Sequence, residues 1–300
     1  MSNNILITGG TGFIGRKLCS ILEVEGYKVF VFSRSPESVK KVCGESVSSV
    51  ASFEDIDEDM HFEAIINLAG APVADGRWSE ARKDLLIKSR TETTRQIVDY
   101  VKRAKNKPKR LISGSAVGYY GDGGDNVIDE DSAFNDEFTH HLCQEWESEA
   151  CKVIEHGAML TILRIGLVVG KGGGFLEKML LPFKMGLGGR LGDGRQWMPW
   201  IHMDDMCGLI LFILKSDNME GVFNATAPNP VTNAEFTKTL ALVLKRPTLM
   251  PLPSFFLKLA FGEMSRLLLT GQRAVPAAAL GKGYAFHFDR LEAALRAVLD

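Results

Sequence analysis

The chain has 300 residues, with 35 Lys and Arg against 37 Asp and Glu for a formal net charge of −2, a balance that argues against a basic nucleic-acid binder and against an acidic tail. Its hydrophobic share of 45% is ordinary for a globular chain, and at roughly 150 residues per domain the length suits one large α/β domain or two smaller lobes. Five cysteines (Cys19, Cys43, Cys143, Cys151, Cys207) are scattered without a C-x-x-C pair, which suggests neither a disulfide framework nor a zinc site and makes the reduced cytoplasm the expected compartment. The N-terminus runs into Ile5-Leu6-Ile7 without the basic region, apolar run and cleavage site of a signal peptide. No window reaches ~18 uninterrupted apolar residues, so no spanning helix and no membrane partner is expected.

In chain order, short apolar runs alternate with helical patterns through the first half, the rhythm of a parallel sheet with crossover helices. Strands are expected at Ile5–Thr8, Lys28–Phe32, Ala64–Leu68, Arg110–Ser113 and Leu160–Arg164. Helices are expected between them at Ile14–Glu25, Pro36–Val42, Ser79–Lys105 and Phe138–His156. Continuous apolar runs such as Ala64-Ile65-Ile66 suit a sheet covered on both faces. Nine glycines between Gly170 and Gly194 make that stretch loop, with one short helix near Phe175–Lys184. A helix at about Asp204–Lys215, a strand at Val222–Ala225 and a mostly helical remainder from Asn233 follow. The expected class is therefore α/β, a Rossmann-type doubly wound parallel sheet carrying a smaller, mostly helical C-terminal substrate lobe. Residues 1–168 and 202–228 would form the dinucleotide-binding lobe, and 169–201 with 229–300 the substrate lobe.

The most specific pattern is Thr8-Gly9-Gly10-Thr11-Gly12-Phe13-Ile14-Gly15, a G-x-x-G-x-x-G after the first strand and at the start of the first helix. There one glycine makes the tight turn, one admits a pyrophosphate close to the backbone and one lets helix and strand pack closely, while the helix N-terminus attracts the anion. Gly9, Gly12 and Gly15 take those parts, with Thr11, Phe13 and Ile14 as further cofactor contacts. The second strand ends Phe32-Ser33-Arg34-Ser35 without the carboxylate that an NAD-preferring site uses on the ribose hydroxyls. The Arg34 fork and the Ser33 hydroxyl suit a 2′-phosphate instead, so NADP(H) is the expected cofactor.

With that turn, Asn67-Leu68-Ala69-Gly70, Ser113-Gly114-Ser115-Ala116 leading to Tyr120-Gly121, and Trp200-Ile201-His202-Met203-Asp204-Asp205, the chain resembles the extended short-chain dehydrogenase/reductase superfamily in its NAD-dependent epimerase/dehydratase group. Gly118-Tyr119-Tyr120-Gly121, Leu187-Gly188-Gly189 and a late helical stretch at about Leu249–Leu299 resemble its atypical YfcH-type branch, which carries a C-terminal domain of unknown function. The resemblance implies that Leu68, Ala69 and Gly70 line the cofactor, that Ser115 sits at the active-site Ser/Thr position beside the nicotinamide, and that Arg90 contacts a phosphate or the substrate. It places Trp200 and His202 at the mouth of the substrate pocket.

The superfamily's Tyr-x-x-x-Lys pair, in which the Lys lowers the Tyr pKa, belongs on the helix after Ser115, yet Phe138–Glu147 contains neither residue. Aligning on Trp146-Glu147 puts His141 and Glu145 in their places. Three readings stand: His141 oriented by Glu145 as a substitute acid/base, Tyr119 or Tyr120 supplying the phenol, or a site that holds cofactor without proton transfer. Arg164 either binds a substrate anion or pairs with a buried carboxylate, and Asp204-Asp205 read as caps of the following helix. No metal site is expected. The resemblance also leaves a monomer or a homodimer, paired through Ser79–Lys105 and Phe138–His156, open. The expected function is an NADP(H)-binding oxidoreductase or epimerase-like protein acting on a small polar substrate, of which a nucleotide sugar is one candidate. The alternative is a non-catalytic NADP(H) sensor.

Overall fold

The computed structural model describes residues 3–248 and 250–300, so Leu249, the first residue of the expected late helical stretch, lies outside the described residues. In chain order the first half runs β1 (Asn4–Thr8), α1 (Phe13–Val24), β2 (Lys28–Phe32), α2 (Pro36–Cys43), β3 (Ser48–Val50), β4 (Ala64–Asn67), α3 (Glu80–Arg103), β5 (Arg110–Ala116), β6 (Val127–Ile128) and α4 (Phe138–Cys151). It continues with β7 (Met159–Ile165), β8 (Leu167–Val169), α5 (Gly174–Lys184), β9 (Trp197–Met198), β10 (Trp200–His202), α6 (Met203–Lys215) and β11 (Gly221–Ala225). The last part holds β12 (Val231–Thr232), α7 (Asn233–Leu244), α8 (Ser254–Phe261), α9 (Arg266–Leu269), β13 (Arg273–Ala274), α10 (Ala277–Gly281) and α11 (Leu291–Leu299).

Seven of the described strands pair in parallel in the order β11-β7-β5-β4-β1-β2-β3. Alternation along each strand fills both faces, because successive side chains point to opposite sides. Ile5, Ile7, Ile66 and Ile112 pack with Leu18, Leu22 and Ile210 of α1 and α6, while Leu6, Ile65 and Leu111 pack with Ile97 and Val101 of α3 and Ala150 of α4. The strand order reverses at β1, between β2 and β4, and open α/β sheets bind ligands at such a switch point, outside the carboxyl ends of the strands.

Three details differ from the sequence expectation. Ser48–Val50 forms an edge strand that was not foreseen, three residues too polar to show an apolar run. β5 extends three residues past the expected Ser113, so Ser115 lies within a strand. Ala279, with Ala278, Tyr284 and Phe286, packs into the core of the sheet and not into the C-terminal lobe. That lobe has its own core, in which Leu176, Phe183, Trp200, Phe236, Leu240 and Leu295 are buried together.

Candidate active site

β1 turns into α1 through Gly9, whose φ of +72° is left-handed and whose missing Cβ would stand 2.6 Å from the Leu68 carbonyl oxygen. A Cβ on Gly15 would overlap the carbonyl oxygen of Gly9, so the helix closes on the turn only with glycine there. Gly12 is exposed and is the N-cap of α1, with no side-chain cap and no acidic residue in the first turn. The N–H groups of that first turn are left for an anion. Thr11, Phe13 and Ile14, all half-buried, flank it.

At the end of β2 the Ser33 hydroxyl accepts from the Ser35 N–H at 3.2 Å. Arg34 is exposed, and among the described residues its guanidinium has no hydrogen-bond or ion partner. Leu68, Ala69 and Gly70 rise to the surface after β4. Asn67, just before them, is spent on the scaffold: it accepts from Thr8 Oγ1 at 2.7 Å and donates to Thr94 Oγ1 at 2.8 Å, tying β1 to α3. Arg90 lies buried under Gly70, donates to the carbonyls of Leu86 and Ala71, and stacks 5.2 Å from the Trp146 ring. Burial pushes its guanidinium down to about 10. The turn, the uncapped helix and Arg34 together fit a dinucleotide with a 2′-phosphate.

Next to this cleft, parallel register sets Ser115 of β5 beside Arg164 of β7 on the face covered by α4. Glu147 of α4 comes down between them. Its carboxylate accepts from Ser115 Oγ at 2.6 Å and, bidentately, from Arg164 Nε at 3.0 Å and a terminal nitrogen at 2.9 Å. The guanidinium carbon of Arg164 stands 3.4 Å from the centre of the Tyr119 ring, so the cation is held between a carboxylate and an aromatic face. Tyr119 is half-buried, with no partner for its hydroxyl among the described residues. Tyr120 is different: burial pushes its phenol up to about 12, and its hydroxyl donates to Asn224 at 2.8 Å.

Helical phase decides which α4 residues face Ser115. Cys143 is buried, donates to the Ala116 carbonyl at 3.6 Å and sits one turn before Glu147 on the same face. At 100° per residue His141 points away from that face. It is half-exposed, pairs with Asp136 at 2.7 Å, and does not reach Ser115, which corrects its expected role as acid/base.

Trp200 is also corrected as a pocket wall. Trp200 is fully buried in the C-terminal core, with its indole N–H donated to the Asn229 carbonyl at 3.0 Å. His202 is the N-cap of α6: Nδ1 accepts from the Asp204 N–H at 3.1 Å, the ring lies 3.9 Å from Phe288, and burial lowers its pKa. It does line a cleft, with Phe13, Arg16 and Lys17 of α1, and Ser115 is not among that cleft's lining residues. Of the two acids expected to cap α6, Asp204 pairs with Lys17 at 3.3 Å and Asp205 is buried. Of the two alternatives for Arg164, the structure shows pairing with a buried carboxylate, Glu147, which sequence reasoning used only to align α4; its signal was its place one turn after Cys143, on the side of the helix that covers the strand ends.

The NAD dependent epimerase/dehydratase family matches residues 5–225, and a domain of unknown function, DUF1731, matches residues 252–298. The chain belongs to this epimerase/dehydratase family. Among its relatives, the epimerase family protein YfhF of Bacillus subtilis is 39% identical over 97% of this chain and 96% of its own length. The human epimerase family protein SDR39U1 is 36% identical over 98% of this chain and 99% of its own. The crystal structure of human SDR39U1 (isoform 2) with NADPH superposes on this epimerase-family chain with a TM-score of 0.88, at 33% identity and with 98% of both chains covered.

Proposed function

We propose that this epimerase-family protein binds NADP(H) across the carboxyl ends of β1, β2 and β4 and acts as an oxidoreductase or epimerase-like enzyme on a small polar substrate beside Ser115. The glycine turn and the uncapped end of α1 would hold the pyrophosphate, Ser33 and Arg34 the 2′-phosphate, and Leu68 to Gly70 the adenosine side. The NADPH in the human SDR39U1 structure supports this choice of dinucleotide. When bound, the nicotinamide supplies or takes up a hydride.

The observation that carries the catalytic reading is the Ser115–Glu147–Arg164 cluster. Because Ser115 gives its proton to Glu147, its oxygen lone pairs remain to accept a hydrogen bond from a substrate hydroxyl. Arg164 fixes the carboxylate, and with it the direction of the Ser115 O–H, and stacks on Tyr119. Tyr119 is then the phenol that exchanges a proton with the reacting oxygen, since the Tyr120 hydroxyl is committed to Asn224. The helix that brings Glu147 to the cluster, α4, is the one that lacks the family's Tyr-x-x-x-Lys pair.

A screen of hydroxy- and keto-substrates by NADPH oxidation, run on the wild type, Tyr119→Phe and Ser115→Ala, tests this. Each variant should lose about 10²-fold or more in turnover, the usual worth of a positioned acid/base, while its NADPH affinity is unchanged. Turnover unaffected by both changes would exclude this cluster. NADPH binding with no turnover on any substrate would favour the sensor, for which the absent pair is the motivating observation.

A further inference from the structure

The C-terminal half carries an apolar face that the site does not use. Leu181 of α5 and Met185 at its C-cap are 67% and 64% exposed, Leu187 follows at 57%, and on α8 Phe255, Phe256 and Leu259 are 67%, 57% and 63% exposed. These residues form one surface, because the segments that carry them are joined. Leu191 bridges Leu252 in parallel, the Leu252 N–H donates to the Arg190 carbonyl at 2.9 Å, and the Gly192 N–H donates to the Leu252 carbonyl at 2.9 Å. Contiguous apolar surface of this kind marks an interaction site.

Charge selects the partner. Residues 178–192 contain three Lys or Arg, residues 236–262 contain four, and neither segment contains an Asp or Glu, in a chain whose net charge is −2. Lys184, Arg190, Lys245, Arg246 and Lys258 are exposed, and none has an ion-pair partner among the described residues. Lys238, Lys245 and Arg246 line one shallow depression along α7, where the single carboxylate, Glu235, is engaged by the Thr232 cap at the start of the helix. A second copy docked here by a two-fold axis would set like charges against like, which opposes self-association. The apolar side chains project into solvent at 57–67% exposure, so they suit insertion into a soft partner.

We propose that this face docks on an anionic lipid bilayer, with Phe255, Phe256, Leu259 and Leu181 inserted at the headgroup boundary and the surrounding Lys and Arg against the lipid phosphates. No described helix is long and apolar enough to cross a membrane, so the contact is peripheral. The face adjoins the loop between β4 and α3, since Arg77 donates to the Ala260 carbonyl at 2.8 Å and Lys178 pairs with Asp75 at 2.7 Å. The membrane would therefore lie beside the rim of the cleft.

Co-sedimentation with vesicles of phosphatidylcholine alone and of phosphatidylcholine with phosphatidylglycerol tests the proposal, with Phe255→Glu/Leu259→Glu and Lys245→Glu/Arg246→Glu as variants. Binding should require phosphatidylglycerol, fall in high salt, drop by about fivefold for each cation removed, and be abolished by the acidic pair on α8. Both variants should keep the wild-type melting temperature and NADPH titration, since all four side chains are exposed. Absence of binding to either vesicle, or binding indifferent to both variants, overturns the proposal. A dimer in sedimentation velocity that Phe255→Glu/Leu259→Glu disperses would assign the face to a second copy and overturns it equally.

Discussion

Glu147 accepts from three donors, the Ser115 hydroxyl and two nitrogens of Arg164, where all three side chains are largely buried. Such a pair adds little net stability compared with apolar residues of the same size, but it gains geometry: one orientation of the serine and one of the guanidinium. His202, at the start of α6, shows burial acting on a single titratable group. Desolvation lowers its pKa from 6.5 despite the nearby Asp204 and Asp205 carboxylates, and its unprotonated Nδ1 caps α6. A base whose folded pKa is lowered binds fewer protons folded than unfolded, so its stabilisation is present above the unfolded value of about 6.5 and is lost as pH falls toward the folded one. Melting temperature should therefore decline below that pH, and His202→Asn, which keeps a capping acceptor without a titrating ring, should flatten the decline. An equally steep decline in the variant would place the titration elsewhere. Residue-scale features were legible where they are local, as at the exposed Arg34 at the end of β2, whose role on a phosphate is part of the proposal. It was not legible at His141, because an alignment by motif ignores helical phase and a two-residue shift turns a side chain to the opposite side.

Among the elements, α6 anchors the end of the chain. The carboxylate of Asp205 accepts from the His287 N–H at 2.7 Å and the Phe288 N–H at 2.9 Å, while the Tyr284 hydroxyl donates to the Asp205 carbonyl at 3.0 Å. Asp205→Ala strips two partly buried N–H groups of a charged acceptor, and at about 1.5 kcal/mol for each such bond, the low end for a charged partner, the chain should lose roughly 3 kcal/mol. Hydrogen exchange should quicken at residues 287 and 288 while the amides of β1 and β4 stay protected; no change there would show the strap to be held by packing alone. The sequence suggested capping for this acid because it sits at a helix start, but the helix begins one residue earlier than expected and His202 takes the cap. The glycine turn was fully legible, since its requirements lie within eight consecutive residues. The Ser115–Arg164 pairing was not, because strand register joins positions far apart in the chain.

For the molecule as a whole, apolar runs and strand–helix rhythm sufficed for six of the seven strands of the parallel sheet and for a mostly helical late part, while the strand order and the polar edge strand Ser48–Val50 came only with the structure. They left open the path of Ala277–Gly281, which returns to the sheet as α10 through small apolar residues that fit either core. The architecture sets a glycine turn at the switch point and a serine–carboxylate–arginine cluster two strands away along the same sheet. What most directly tests the function proposed for that arrangement is calorimetric titration with NADPH and NADH, on the wild type and on Arg34→Ala. NADPH should bind at least about tenfold tighter than NADH, a difference of about 1.4 kcal/mol, and Arg34→Ala should bring the two together by weakening NADPH alone. Equal affinities in the wild type, or a preference that survives the loss of Arg34, would contradict the 2′-phosphate assignment, and failure of both nucleotides to bind would contradict the cofactor site itself.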